Sequence, residues 1–178
     1  MRLPAYMTHS DCRRWLLWKS IPQENSKPKK VPYYANGDMR SGTLDSTKDL
    51  AQLVSFDEAQ AILSQGKYTG LGFALGLDEN GGYWQGVDFD DVSNKPELLS
   101  LIASLPGYVE TSPSQNGVHA IGYGHKFNVL GSNKSGIEAY SSKRYFTVTG
   151  DNALYDGSER AEDLADFRAI FKTIAYQK

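Results

Sequence analysis

The stretch WQGVDFDDV, residues 84–92, constrains the fold more than any other part of the chain. Its apolar run reads as a strand, yet it carries Asp88 and Asp90 on either side of Phe89. Side chains alternate faces along a strand. Asp88 and Asp90 therefore share one face, while Val87 and Phe89 point into the core. The two acids then stand about 7 Å apart at Cα, and like charges that close repel unless something positive lies between them. Two readings are open: a polar strand end running into a turn with Asp91, or a pair of oxygen donors for a divalent cation such as magnesium.

Glu138 favours the cation. It lies in GIEAY between Ile137 and Ala139, a second acid in an apolar strand. If that strand neighbours the first, three carboxylates converge, enough for one or two metal ions of the kind that serve nucleotidyl transfer. A third feature is ETSPSQNGVHAIG, 110–122. Its turn offers hydroxyls and backbone N–H groups as an anion nest, with Ser114 and Asn116 at its tip. His119 follows on a strand and reads either as a hydrogen-bonded structural residue or as a phosphate contact. Lys143 and Arg144 trail the Glu138 strand. Arg144 is either a bidentate phosphate clamp or part of a solvated hairpin tip.

The rest of the chain supplies a frame. CRRWLLWK, 12–19, reads as a strand, and 21–46, rich in Pro, Gly, Asn and Ser, as loop with a short hairpin around VPYY and NGD. SFDEAQAILSQG, 55–66, is a helix with a Ser55–Glu58 capping box. YTGLGFAL, 68–75, reads as a strand. Its Gly70-x-Gly72 is not a dinucleotide fingerprint, because the third glycine comes one place late; the glycines serve close packing. DENGG, 78–82, should turn this strand into a hairpin with 83–92. A helix is predicted over 95–105 and extended segments over 108–112 and 118–124. A hairpin is predicted from 136–142 and 144–150. An amphipathic helix over 158–177 carries Leu164, Phe167, Phe171 and Ile174 on one face. Several hairpins and few parallel crossovers predict an α+β fold with a mixed, largely antiparallel sheet.

Composition sets bounds. The 178 residues are 40% hydrophobic, with a net charge of −2, so a folded core is expected and net charge alone does not point to nucleic acid. Arg13, Arg14, Lys19, Lys27, Lys29, Lys30 and Arg40 nevertheless make the first stretch basic, and 49–110 is acidic. The single cysteine, Cys12, excludes an intrachain disulfide framework and a cysteine-based zinc site. No apolar run reaches membrane-spanning length and no secretory signal is visible, so a soluble, cytoplasmic protein is expected.

The motifs together resemble the catalytic domain of the archaeo-eukaryotic primase superfamily, in its bifunctional primase-polymerase branch from plasmids, phages and mobile elements. RRWLLWK with KPKKVPY resembles the opening strand and basic loop of that branch. DEAQAIL with YTGLGFAL resembles its helix and second strand. GVDFDDV resembles the acid-pair motif, YVETSPSQNGVHAIG the histidine motif, and GIEAYSSKRYFTVTG the third-acid motif with its arginine. Two departures stand out: Gln115 occupies a place usually held by glycine, and Gly117 one often held by serine.

The resemblance implies a small N-terminal α/β unit, about 1–80, packed on an RNA-recognition-fold-like catalytic unit, about 81–178. It implies that Asp88, Asp90 and Glu138 hold catalytic Mg2+ or Mn2+, with no zinc. His119 and Arg144 would contact the phosphates of an incoming NTP or dNTP, with Lys143, Ser114 and Asn116 in weaker support. The template would be single-stranded DNA. Lys19, Lys29 and Lys30 would track its phosphates, and Trp15, Trp18, Tyr33 and Tyr34 are candidates for base stacking, the tryptophans alternatively for the core. The chain is expected to be part of a longer replication protein, with a helicase fused or separate. Two rivals remain: a catalytically idle initiator or DNA-binding module of the same fold, and a metal-dependent nuclease.

Overall fold

The computed structural model describes residues 2–131, 134–154 and 163–170. It is an α+β fold, and among the described residues every strand pairing is antiparallel. The chain forms two compact units. One comprises Ala5–Ala74 and Tyr145–Val148; the other is built around Leu75–Arg144 with the residues before Ala5 and after Val148.

The first unit holds a four-stranded sheet in the order β2-β1-β3-β9. Its strands are β1 (Trp15–Gln23), β2 (Ser26–Tyr33), β3 (Gly70–Ala74) and β9 (Tyr145–Val148). Short helices α1 (Ala5–Thr8) and α2 (Thr47–Leu50) accompany α3 (Phe56–Leu63). The expected helix is α3, and its Ser55–Glu58 capping box is formed.

Two expectations are corrected here. The proline-rich stretch after residue 21 is loop only from Tyr34 on: β1 runs to Gln23 and returns as β2 through Asn25, whose φ is 59°. Pro28 and Pro32 fit because β2 is an edge strand, where a missing N–H leaves no ladder bond unmade. Pro22 sits at the register shift between Ile21 and Gln23, beyond Trp18, where pairing with β3 ends. The turn expected near NGD is present: Tyr34 N donates to Asp38 O, and Asn36 Oδ1 accepts from Asp38 N. Second, 136–142 and 144–150 do not pair with each other. β9 pairs with β3, setting Phe146 against Phe73 and Val148 against Leu71.

Trp15 settles as core. It is fully buried, meets Phe56 and Phe73 edge-on at 5.0 Å, and donates its indole N–H to Met7 O at 2.7 Å. The glycines of β3 serve packing as expected. A Cβ at Gly70 would stand 2.7 Å from Trp18 Nε1, and one at Gly72 2.8 Å from Tyr145 Cδ2.

The second unit holds β4 (Gly76–Leu77), β5 (Tyr83–Phe89), β6 (Tyr108–Thr111), β7 (Val118–Gly124) and β8 (Ile137–Tyr140). The path is β4-β5-β7-β6, and β8 also pairs with β5. The hairpin through 78–82 joins only Gly76–Leu77 to β5, because the strand expected over 68–75 ends at Ala74 and changes sheet. Val87 and Phe89 of β5 pack with Val109, Val118, Ala120, Ile137 and Ala139 beneath helix α4 (Glu97–Ser104), which contributes Leu98 and Ile102. The opposite face carries Asp88.

The helix expected over 158–177 is only partly testable, since 155–162 and 171–178, and with them Phe171 and Ile174, lie outside the described residues. Residues 163–166 are not helical, and Arg168–Ile170 are. Tertiary bonds override the periodicity. Tyr123 N donates to Ala165 O, Gln85 Nε2 donates to Asp166 Oδ1 at 2.7 Å, and Phe167 N donates to Gln85 Oε1 at 2.7 Å. Phe167 thereby enters the core fully buried. Burial works to raise the Asp166 pKa, but bonds from Gln85, His125 and backbone N–H groups hold it at about 2, below the ordinary 3.8. A carboxyl depressed on folding contributes stability above its unfolded pKa and loses it as pH falls through the folded one. Thermal unfolding of the wild type is therefore expected to fall more steeply between about pH 4 and 2 than that of Asp166→Asn.

Candidate active site

The register of four strands sets one row of ionisable residues across the second sheet. Glu110 on β6 lies opposite His119 on β7, His119 opposite Asp88 on β5, and Asp88 opposite Glu138 on β8. Cross-strand partners share a face, so all four side chains rise from the same side of the sheet. The next row is Tyr108, Ile121, Gly86 and Tyr140.

His119 is almost fully buried between two carboxylates. Its Nε2 stands 3.5 Å from Asp88 Oδ1 and its Nδ1 3.5 Å from Glu110 Oε1. Asp88 and Glu138 are partly open, with side chains 27% and 18% exposed. Glu138 Oε2 accepts from the Tyr140 hydroxyl at 2.7 Å, and Arg144 Nη2 donates to that hydroxyl at 2.8 Å. The Arg144 guanidinium also lies over the Tyr140 ring, 4.4 Å from its centre, and 4.0 Å from Glu138 Oε2. Burial and the Glu138 carboxylate push the Tyr140 hydroxyl pKa up, so it stays a donor at neutral pH.

Asp90 lies one residue beyond β5, exposed, and its backbone N–H donates to Gly136 O at 2.8 Å. Gly136 has φ 77°, and a Cβ there would stand 2.9 Å from Asp90 O. Gly136→Ala is therefore expected to destabilise the protein by about 1–2 kcal/mol and to displace Asp90, measured by denaturant unfolding.

The donor chemistry fits a hard divalent cation, with three carboxylates drawn from the end of β5 and from β8. As placed, no three histidine, cysteine or acidic side chains among the described residues group closely enough to hold one. Glu138 is instead turned to Tyr140 and Arg144.

The turn before His119 is built by its own polar groups. Ser112 Oγ and Ser114 Oγ are 3.0 Å apart, and Asn116 N donates to Ser114 Oγ. The Asn116 carboxamide is engaged with the 3-10 turn Val92–Asn94: its Oδ1 accepts from Ser93 Oγ at 2.6 Å, and its Nδ2 donates to Asp91 Oδ1 at 3.1 Å. Gln115 takes a positive φ of 61°, and a Cβ at Gly117 would meet Ser112 Oγ at 2.8 Å. Lys143 and Arg144 are both exposed.

In the first unit, alternation divides the basic candidates. Lys19 and Lys29 share one face of the β1–β2 hairpin and Lys30 takes the other. Lys19 Nζ lies 4.9 Å from the Tyr33 ring centre and 5.0 Å from that of Tyr68, a residue the sequence did not single out. Lys30 Nζ lies 6.0 Å from the Trp18 ring. Of the four stacking candidates, Trp15, Trp18 and Tyr34 are buried, and Tyr33 is half-exposed.

Sequence reasoning also passed over Glu110 and Tyr140. Glu110 carried the signal that drew attention to Glu138, an acid inside a short apolar strand. Tyr140 is two residues from Glu138 and so on its face.

No family model matches the chain. Over 175 residues it is 29% identical to the DNA primase-polymerase of Nitratiruptor phage NrS-1, covering 92% of this chain and 22% of that protein. The likeness supports a relationship to the primase-polymerases. The chain spans about a fifth of the relative's length (22%). Among the described residues, no helix is long and apolar enough to cross a membrane.

Proposed function

We propose that the chain is a nucleotidyl-transfer domain of primase-polymerase type, adding NTPs or dNTPs against a single-stranded DNA template. The observation that carries the reading is the cross-strand row that sets Glu138, distant in sequence, beside Asp88, with His119 on the other side of Asp88. The phage likeness supports it independently.

Asp88, Asp90 and Glu138 would hold a divalent cation, magnesium or manganese. Such a cation, when bound, supplies charge stabilisation at the reacting phosphate. His119 is a nearly fixed side chain beside the acids, suited to one phosphate oxygen. Arg144, 52% exposed, is oriented by Tyr140 and has the forked donor geometry for a triphosphate. Lys143 and Ser114, both exposed, are weaker phosphate contacts. Asn116 acts mainly by holding the turn. On the hairpin, Lys19 and Lys29 with Tyr33 offer charge and a stacking ring to single-stranded DNA.

A nuclease also needs clustered acids but has less use for a histidine and an arginine flanking them. Thermal unfolding separates the readings. Protection by a nucleotide triphosphate with magnesium, in the absence of DNA, is expected. Protection by DNA and metal alone would favour the nuclease.

A further inference from the structure

Glu110 has no part in the reading above, yet it is the most enclosed member of the row, with 0% exposure. Its carboxylate is fixed from several directions. The Tyr108 hydroxyl donates to Oε2 at 2.7 Å, Thr149 N donates to Oε1 at 3.0 Å, and Gly150 N donates to Oε2 at 2.9 Å. These bonds hold the chain at 149–150, and that task needs no imidazole. His119 Nδ1 nevertheless faces Oε1 at 3.5 Å, leaving Nε2 directed to Asp88. The two acids flanking the ring differ: Asp88 is partly open, whereas Glu110 is immobilised.

We propose that Glu110 is a positioning residue that sets the ring orientation of His119 through Nδ1, so that Nε2 is presented beside Asp88 to the incoming nucleotide's phosphate. A ligating or catalytic imidazole is aimed by the partner of its other nitrogen, and here that partner is the anchored carboxylate. The proposal rests on the nucleotidyl-transfer reading for its consequence, but not for its geometry.

The test is Glu110→Gln, which keeps the side-chain size, read in two ways. Long-range 1H–15N spectra of the imidazole should show the His119 nitrogen signals shifted from those of the wild type. In primer extension, KM for the nucleotide should rise about tenfold with a smaller change in kcat, and Glu110→Gln added to His119→Ala should cost nothing further. Unchanged His119 signals, or losses that multiply in the double variant, would reduce Glu110 to a latch for 149–150 and overturn the proposal. If Glu110→Gln does not fold, Tyr108→Phe, which loosens the same carboxylate, must shift the same signals, and unshifted signals overturn it. A wild type that incorporates no nucleotide while the variant still shifts His119 refutes the proposed function and leaves the positioning intact.

Discussion

Asp88→Asn is expected to lower nucleotide incorporation by about 100-fold or more while leaving the fold intact. The substitution keeps the side-chain shape and removes the charge. Asp88 sits centrally in the row, between His119 and Glu138, so its charge is the one that a cation bound beside either neighbour would meet. Its side chain is partly exposed and asparagine keeps its shape, so the fold is expected to hold. Primer extension by the purified variant, with its thermal midpoint as control, checks both halves. Undiminished incorporation would place the acid chemistry elsewhere.

The largest effect on stability is expected in the first unit, at Asp49. Its carboxylate takes Arg40 Nε at 2.8 Å and Nη2 at 2.7 Å, the Tyr34 hydroxyl at 2.7 Å and Asp45 N at 2.9 Å. The Arg40 and Asp49 side chains are 1% and 2% exposed. Burial alone would raise the Asp49 pKa; the Arg40 and Tyr34 bonds lower it instead, and burial together with Asp49 pushes Tyr34 up to about 12. Asp49→Ala leaves a buried guanidinium uncompensated, which costs about 3–5 kcal/mol. Denaturant unfolding of Asp49→Ala should show that loss. Replacing the pair together by apolar residues should cost much less, because the stranded charge and not the missing bond is the main penalty.

Much of the site was legible because strand alternation is a local rule. Asp88, opposite in face to Val87 and Phe89, follows from sequence alone, and so does Glu138 between Ile137 and Ala139. The capping box at Ser55 and the packing role of Gly70 and Gly72 are likewise short-range. What the sequence hid is partner choice. Nothing in 136–150 says that β8 pairs with β5 while β9 joins β3, since both pairings are between distant segments. Edge position, also non-local, is what lets the prolines of β2 stand in a strand. The non-helical start at 163–166 reflects Gln85, some eighty residues away, capturing Asp166 and Phe167. Glu110 was overlooked because its meaning lies in the register against His119, which only the paired sheet displays.

The most direct measurement is template-directed extension of a labelled primer by this chain, with magnesium or manganese and with either dNTPs or NTPs. The account predicts metal-dependent elongation that copies the template and is lost in both Asp88→Asn and Glu138→Gln. Absence of incorporation with either cation and either nucleotide set, or degradation of the DNA in place of elongation, would contradict it.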